Sequence, residues 1–294
     1  MRTMIGATLL ATAMLVAPVA NAQLGMAALR AEQARVPAAT LIDSYGSDAQ
    51  QIGELRLPKG KGPFPVAILV HGGCWTASMD TIKGISPLAE ALRARGIATW
   101  SVEYRRIGNP GGGFPGTFED IARGVDHLAA LAKKHPLDLS RVVLAGHSAG
   151  GHLALWAASR PKLGAPYATS PIKPLSVVAI DGPAALAPFV GIDAQACGAP
   201  VIVNLMGGTP AEKPAEYRIA SPADHLPLGV PQLIVLGDFK PLIAPYAEAA
   251  RKSGDTVHVL TPEGANHFDI ITPGTTNGAS VVDFIATKAF APRP

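Results

Sequence analysis

Soft metal ligands are scarce in this chain. It has 294 residues with two cysteines, Cys74 and Cys197, and eight histidines. No histidine pair falls at ligand spacing, so a structural zinc or iron–sulfur site has too few donors. Charge is scarce as well: 16% of residues are Asp, Glu, Lys or Arg, and the formal net charge is +3. The Lys and Arg residues are scattered rather than gathered into a stripe, which excludes a nucleic-acid binder. There is no internal repeat and no low-complexity tract. What is abundant is apolar surface and loop-forming residues, with 48% hydrophobic residues, 31 Gly and 27 Pro. That composition suits one loop-rich globular domain with a sizeable core.

The opening stretch "MRTMIGATLLATAMLVAPVANAQ" reads as an address. Arg2 precedes an apolar segment that ends in Ala20, Asn21 and Ala22, the small-x-small pattern of a signal-peptidase site. The apolar run is shorter than the roughly 18 to 20 residues a membrane span requires. Residues 1–22 are therefore expected to be a signal peptide, with residues 23–294 as the mature domain. The location expected is exported, periplasmic or secreted, with no stable membrane insertion once the signal is removed. In an oxidising compartment Cys74 and Cys197 can pair, but sequence alone does not bring their Cα atoms together, and two separate thiols remain open.

Six short, β-branched, nearly unbroken apolar runs follow: residues 65–71, 97–104, 140–146, 175–181, 231–237 and 255–261. Such runs predict strands buried on both faces of a mostly parallel sheet. Amphipathic stretches at 85–96 and 118–135 lie between them, the latter with Ile121, Val125, Leu128 and Leu131 at helical spacing. The alternation predicts an α/β fold with helices on both faces of the sheet. Residues 182–230 form a long insertion before the next strand, either a short lid or a cover for the core.

The sharpest chemical signal is "VVLAGHSAGGHLALWAAS", residues 142–159. Gly146, Ser148 and Gly150 make a G-x-S-x-G pattern between a strand and an Ala/Leu-rich helix, the context of a nucleophile elbow. The sharp turn exposes Ser148 above a helix N-terminus, where unpaired N–H groups favour developing negative charge. Upstream, "AILVHGGCW" ends a strand in Gly72 and Gly73. Their N–H groups, with that of Ala149, are candidates for an oxyanion hole. His267, in "TPEGANHFDIITP" after the last strand, stands where the base falls in the chain order Ser, acid, His. His147 and His152 flank the serine but project away from it, and are read as packing or hydrogen-bonding residues.

Together "HGGCW", "EYRRIGNPGGGFPGTFEDI", "GHSAGGHLALW", "LMGGTPAE" and "GANHFD" resemble the α/β-hydrolase superfamily over roughly residues 50–290. Within it they are similar to bacterial carboxylesterases related to kynurenine formamidase and to the hormone-sensitive-lipase group. The resemblance implies an α/β-hydrolase fold and a serine hydrolase, with Ser148 as nucleophile, His267 as base and the "HGG" loop as oxyanion hole. One part of the family pattern does not carry over. The acid is usually two residues further from the glycine that ends its strand, whereas here Asp238 follows Gly237 at once and Lys240 stands where Asp is expected. Asp238 is the preferred acid on strand position. Asp181, at the end of the preceding strand, is the rival, Asp269 is read as bracing its own loop, and loss of a working acid is a further possibility.

Tyr104, Arg105 and Arg106 are expected either to brace the oxyanion loop or to bind an anionic substrate group, and the glycine-rich residues 108–116 to line the pocket mouth. The function expected is hydrolysis of a small-molecule carboxylic ester through an acyl-enzyme, with no cofactor or metal. The alternatives are an amide or formamide hydrolase with the same groups, or a non-catalytic binding protein with a degraded triad.

Overall fold

A computed structural model describes residues 25–291; the expected signal peptide falls outside the described residues. Eight strands form one sheet: β1 (Leu41–Ser44), β2 (Ile52–Arg56), β3 (Phe64–Val70), β4 (Ala98–Val102), β5 (Leu137–His147), β6 (Ser176–Ile180), β7 (Gln232–Val235) and β8 (Val257–Leu260). Their spatial order is β1-β2-β4-β3-β5-β6-β7-β8. The pairs β1/β2 and β2/β4 are antiparallel, and every pair from β4 to β8 is parallel. The six expected strands are β3 to β8. The antiparallel β1 and β2 are additional to them.

Nine helices cover the sheet: α1 over residues 25–33, then α2 (Ser86–Ala94), α3 (Gly116–Leu131), α4 (Ala149–Ser159), α5 (Asp193–Cys197), α6 (Ile202–Met206), α7 (Pro214–Ala220), α8 (Lys240–Lys252) and α9 (Thr276–Phe284), among the described residues. The strand period of two sorts the core between the faces. Val66, Ile68 and Val70 of β3 join one cluster with Phe118, Ile121 and Val125 of α3 and Trp156 of α4. Ala67 and Leu69 join the other, with Leu88 of α2 and Val281 of α9. This is the mostly parallel α/β-hydrolase architecture the sequence predicted. No helix among the described residues is long and apolar enough to cross a membrane.

The insertion at 182–230 covers part of the core and also walls a cavity. Tyr217 and Ala220 of α7 are buried in the core, while α5 and α6 bound a cavity beside Ser148. Asp193 holds α5 to α6: its carboxylate accepts the N–H groups of Val201 and Ile202, each at 2.8 Å. Cys197 is joined by a disulfide to Cys74, with Cα atoms 6.0 Å apart, so the insertion is bonded to the loop after β3. The glycine-rich segment at 108–116 seats against α6, where Phe114 N–H donates to the Leu205 carbonyl at 2.7 Å.

Candidate active site

Strand β5 ends at His147 and α4 begins at Ala149, which leaves Ser148 alone to make the turn. Its backbone sits at φ 55°, ψ −122°, a conformation costly for a side-chain-bearing residue and held only where the surroundings over-determine it. The Ser148 N–H is tied to the Ile180 carbonyl of β6 at 2.8 Å. The turn closes only because its flanks are glycine. A Cβ on Gly146 would stand 2.1 Å from the Gly150 carbonyl oxygen, and one on Gly150 the same distance from that of Val70. Every residue of α4 is buried, so the helix forms a rigid base for the serine.

The oxyanion candidates surround this turn. Ala149 is the first residue of α4, where an N–H has no partner within the helix. Gly72 lies directly against the nucleophile: a Cβ there would be 3.1 Å from Ser148 Cβ. Gly73, Cys74 and Trp75 adopt positive φ in succession, at 97°, 51° and 53°. Several contacts fix this unusual loop. Thr76 N–H donates to Gly73 O at 2.9 Å and Ile107 N–H to Trp75 O at 2.8 Å, while Cys74 is held by its disulfide.

Beneath the loop lies a buried polar network that sequence reasoning touched only through Tyr104 and Arg106. The Tyr104 hydroxyl donates to His71 O at 3.0 Å, and the two rings stack with centroids 4.6 Å apart. His71 Nε2 meets Glu103 Oε1 at 2.8 Å, and Arg106 Nη2 lies 3.3 Å from the same oxygen. Burial by itself would raise the Glu103 carboxyl, but the charge and hydrogen bond of His71, together with Arg106, hold it below the usual range. Arg105 instead grips Asp120 with two bonds of 2.7 Å. Tyr104, Arg105 and Arg106 therefore all serve the scaffold.

His267 sits on the loop after β8, and its Nδ1 is 2.8 Å from Asp181 Oδ2. The Asp181 side chain is fully buried, and its Oδ1 also accepts the N–H of Gly237 at 2.9 Å. The preference for Asp238 as the imidazole's partner is thereby corrected. Asp238 Oδ2 accepts the backbone N–H of His267 at 2.8 Å, so it anchors the loop and not the ring. The physical reason is the shortness of the connection, since α8 begins at Lys240, five positions beyond the end of β7 at Val235. That segment turns N–H groups, those of Gly237 and Phe239, toward Asp181. Asp269 accepts the N–H of Asn266 at 3.0 Å within its own loop.

The flanking histidines have structural partners. His147 Nε2 is 2.8 Å from the His267 carbonyl. Burial, followed by the charge of His267, pushes the His147 imidazole well below its ordinary range, so it stays neutral and donates to that carbonyl. His152 Nε2 is likewise 2.8 Å from the Ala220 carbonyl.

Two cavities meet at Ser148. One, of about 40 Å³, is walled by Trp75, Phe189, Ile192, Ile202, Leu242 and the disulfide. The other, of about 120 Å³, contains both Ser148 and His267 and is bounded on one side by α1. Ser148 Oγ has no hydrogen-bond partner among the described residues, and no group of three or more His, Cys, Asp or Glu side chains there is placed to hold a metal ion. A serine hydroxyl, an imidazole tied to a buried carboxylate and a helix-terminal N–H around one cleft can support acyl transfer.

Comparison with known proteins points the same way. The BD-FAE family model matches residues 54–250. An esterase of Gibberella moniliformis is 27% identical over 233 residues, covering 71% of this chain and 69% of that protein. Esterase LipC of Mycobacterium tuberculosis is 32% identical over 112 residues, but the match spans 37% of this chain and only 27% of LipC. Among solved structures, esterase 2 of Thermogutta terrifontis with bound propionate is 19% identical, with a TM-score of 0.68 over 88% of this chain and 98% of that one. That likeness is one of fold.

Proposed function

The chain belongs to the BD-FAE family, and from that premise we propose that it is a serine esterase that cleaves carboxylic esters of short acyl groups through an acyl-enzyme. The observation that carries the reading is the buried Asp181 carboxylate on His267 Nδ1, which leaves Nε2 as the free nitrogen in a cleft shared with Ser148. With Nδ1 protonated and held, Nε2 takes the Ser148 proton as Oγ attacks the ester carbonyl. The N–H groups of Gly72, Gly73 and Ala149 receive the oxyanion. As the tetrahedral intermediate collapses, Nε2–H protonates the departing alcohol oxygen. Water then attacks the acyl-enzyme with His267 again as base, releasing the acid and Ser148.

The small apolar cavity beside Ser148 suits an acyl chain of a few carbons, and the Thermogutta esterase carries propionate or butyrate in its solved structures. The "HGG" loop also resembles that of kynurenine formamidase and the hormone-sensitive-lipase group, which supports its role as oxyanion hole. Export follows from residues 1–22 read as a signal peptide. The partner is thus a small-molecule ester met outside the cytoplasm.

The test is burst release from p-nitrophenyl acetate, with acylation of Ser148 followed by mass spectrometry. Ser148→Ala is expected to abolish both, and kcat/KM is expected to fall at least tenfold from the acetyl to the octanoyl ester. No burst and no adduct with an organophosphonate would identify a binding protein instead.

A further inference from the structure

The first described helix, α1, precedes the segment matched by the family model, yet it touches the machinery directly. Leu29 is buried in one core cluster with Ile270 and Ile271. Glu32 Oε1 accepts the Gly274 N–H at 2.8 Å, and a Cβ on Gly25 would lie 2.2 Å from Asn266 Oδ1. The helix is thus seated on the segment that carries His267. Its other side, with Met26, Arg30 and Gln33, bounds the cleft containing Ser148 and His267.

The two cavities at Ser148 differ in one chemically decisive respect. The departing alcohol must take its proton from the imidazole, so it has to lie on the His267 side of the serine. Only the cleft bounded by α1 includes His267; the small apolar cavity does not. The acyl group therefore belongs in the apolar cavity and the alcohol against α1.

Among the described residues, Arg30 is the one Lys or Arg side chain lining that cleft. Arg30 is exposed; its carbonyl accepts the Ala34 N–H at 3.2 Å, but its guanidinium makes no ion pair or hydrogen bond among the described residues. The other titratable groups lining the cleft are Asp80, His147 and His267. His147 is kept neutral by burial, and the Asp80 carboxyl, raised by burial, accepts the Thr81 N–H at 2.8 Å and is not paired with Arg30.

On the esterase reading given above, we propose that α1 is the leaving-group wall of the active site and that Arg30 is a specificity residue favouring esters whose alcohol portion carries a negative charge. The guanidinium contacts the anionic group in both the bound ester and the transition state, so its effect falls on KM more than on kcat.

A matched pair of acetyl esters tests this: 4-acetoxybenzoate and 4-acetoxybenzamide share acyl group and leaving-group shape and differ in charge. The readout is the ratio of their kcat/KM values, compared between wild type and variants so that intrinsic reactivity cancels. Arg30→Ala is expected to lower the ratio roughly fivefold, the upper range for an exposed ion pair. Arg30→Glu should lower it further, Arg30→Lys should keep most of it, and the wild-type ratio should shrink as salt rises. A ratio that stays within twofold in Arg30→Ala and Arg30→Glu, while both esters are still hydrolysed, overturns the assignment and leaves the esterase reading intact. Hydrolysis of neither ester by the wild type overturns both.

Discussion

Replacing Asp181 with Asn probes the site at its most constrained point. The carboxylate is fully buried and uses both oxygens, Oδ2 toward His267 Nδ1 at 2.8 Å and Oδ1 toward the Gly237 N–H at 2.9 Å. An amide has one accepting oxygen and one donating nitrogen. If the Asn oxygen faces Nδ1, its NH2 is set against the Gly237 N–H, donor against donor. If the oxygen keeps Gly237, the NH2 faces Nδ1 and selects the tautomer protonated at Nε2, which cannot take a proton from Ser148. The same exchange in a serine protease triad costs about 10⁴ in kcat, equivalent to roughly 5 kcal/mol of barrier. A loss of about 10³ to 10⁴ is therefore expected here. Asp238→Asn is the matched control: Asp238 accepts only the backbone N–H of His267, an Asn oxygen can do the same, and kcat should stay within about fivefold. The assay is kcat on p-nitrophenyl acetate per titrated active site, with unfolding curves to show that both variants fold. A loss in Asp238→Asn as large as that in Asp181→Asn, or a tenth of the activity retained in Asp181→Asn, would remove Asp181 as the acid that orients His267.

The ambiguity this experiment addresses also marks where sequence reading stopped. Strands β3 to β8 were legible because each carries a short, β-branched apolar run, almost wholly buried in β3, β4, β6, β7 and residues 142–147 of β5 and half-buried in the edge strand β8, and the elbow because its spacing is imposed by backbone contacts that only glycine permits. Strands β1 and β2 were not, because Asp43, Glu54 and Arg56 interrupt their apolar pattern. Glu54 and Arg56 are buried as an ion pair of 2.9 Å, and nothing local announces that pairing. The partner of His267 was undetermined for a different reason. Asp181 and Asp238 are separated by the insertion and β7 in sequence, and which one reaches the ring depends on how many residues the chain uses between β7 and α8. Residue type put both carboxylates at strand ends, and loop length chose between them. The pairing of Cys74 with Cys197, across a separation of 123 residues, was open on the same ground. Helix α1 gave no catalytic motif at all, and its place in the cleft follows from Leu29 being buried beside Ile270 and Ile271.

Two stability predictions rest on features outside the catalytic groups. The Cys74→Ser/Cys197→Ser double variant frees both the loop after β3 and α5, and should lower unfolding free energy by about 2–4 kcal/mol, read from urea denaturation at neutral pH. An unchanged midpoint would show that the bond constrains neither state. The second concerns acid. His152 is buried, its Nε2 meets the Ala220 carbonyl at 2.8 Å and its Nδ1 has no partner, and burial lowers its pKa from 6.5 to about 4. The folded protein thus holds this imidazole neutral over a range in which the unfolded chain protonates it. Because the unfolded state binds more protons there, the contribution is full above about 6.5 and is lost as pH falls toward 4, by roughly 3 kcal/mol. His152→Phe retains the ring contacts with Trp75 and Phe118 while leaving the Ala220 carbonyl without its donor, so it should be less stable than wild type at pH 7 by about 1 kcal/mol. Its stability should nevertheless fall less steeply on acidification, and the two curves should converge or cross between pH 6.5 and 4. His147, also held neutral by burial, keeps a slope in both proteins, so the decisive quantity is the difference between them: urea unfolding at several pH values that gave parallel curves would remove His152 as a source of acid sensitivity.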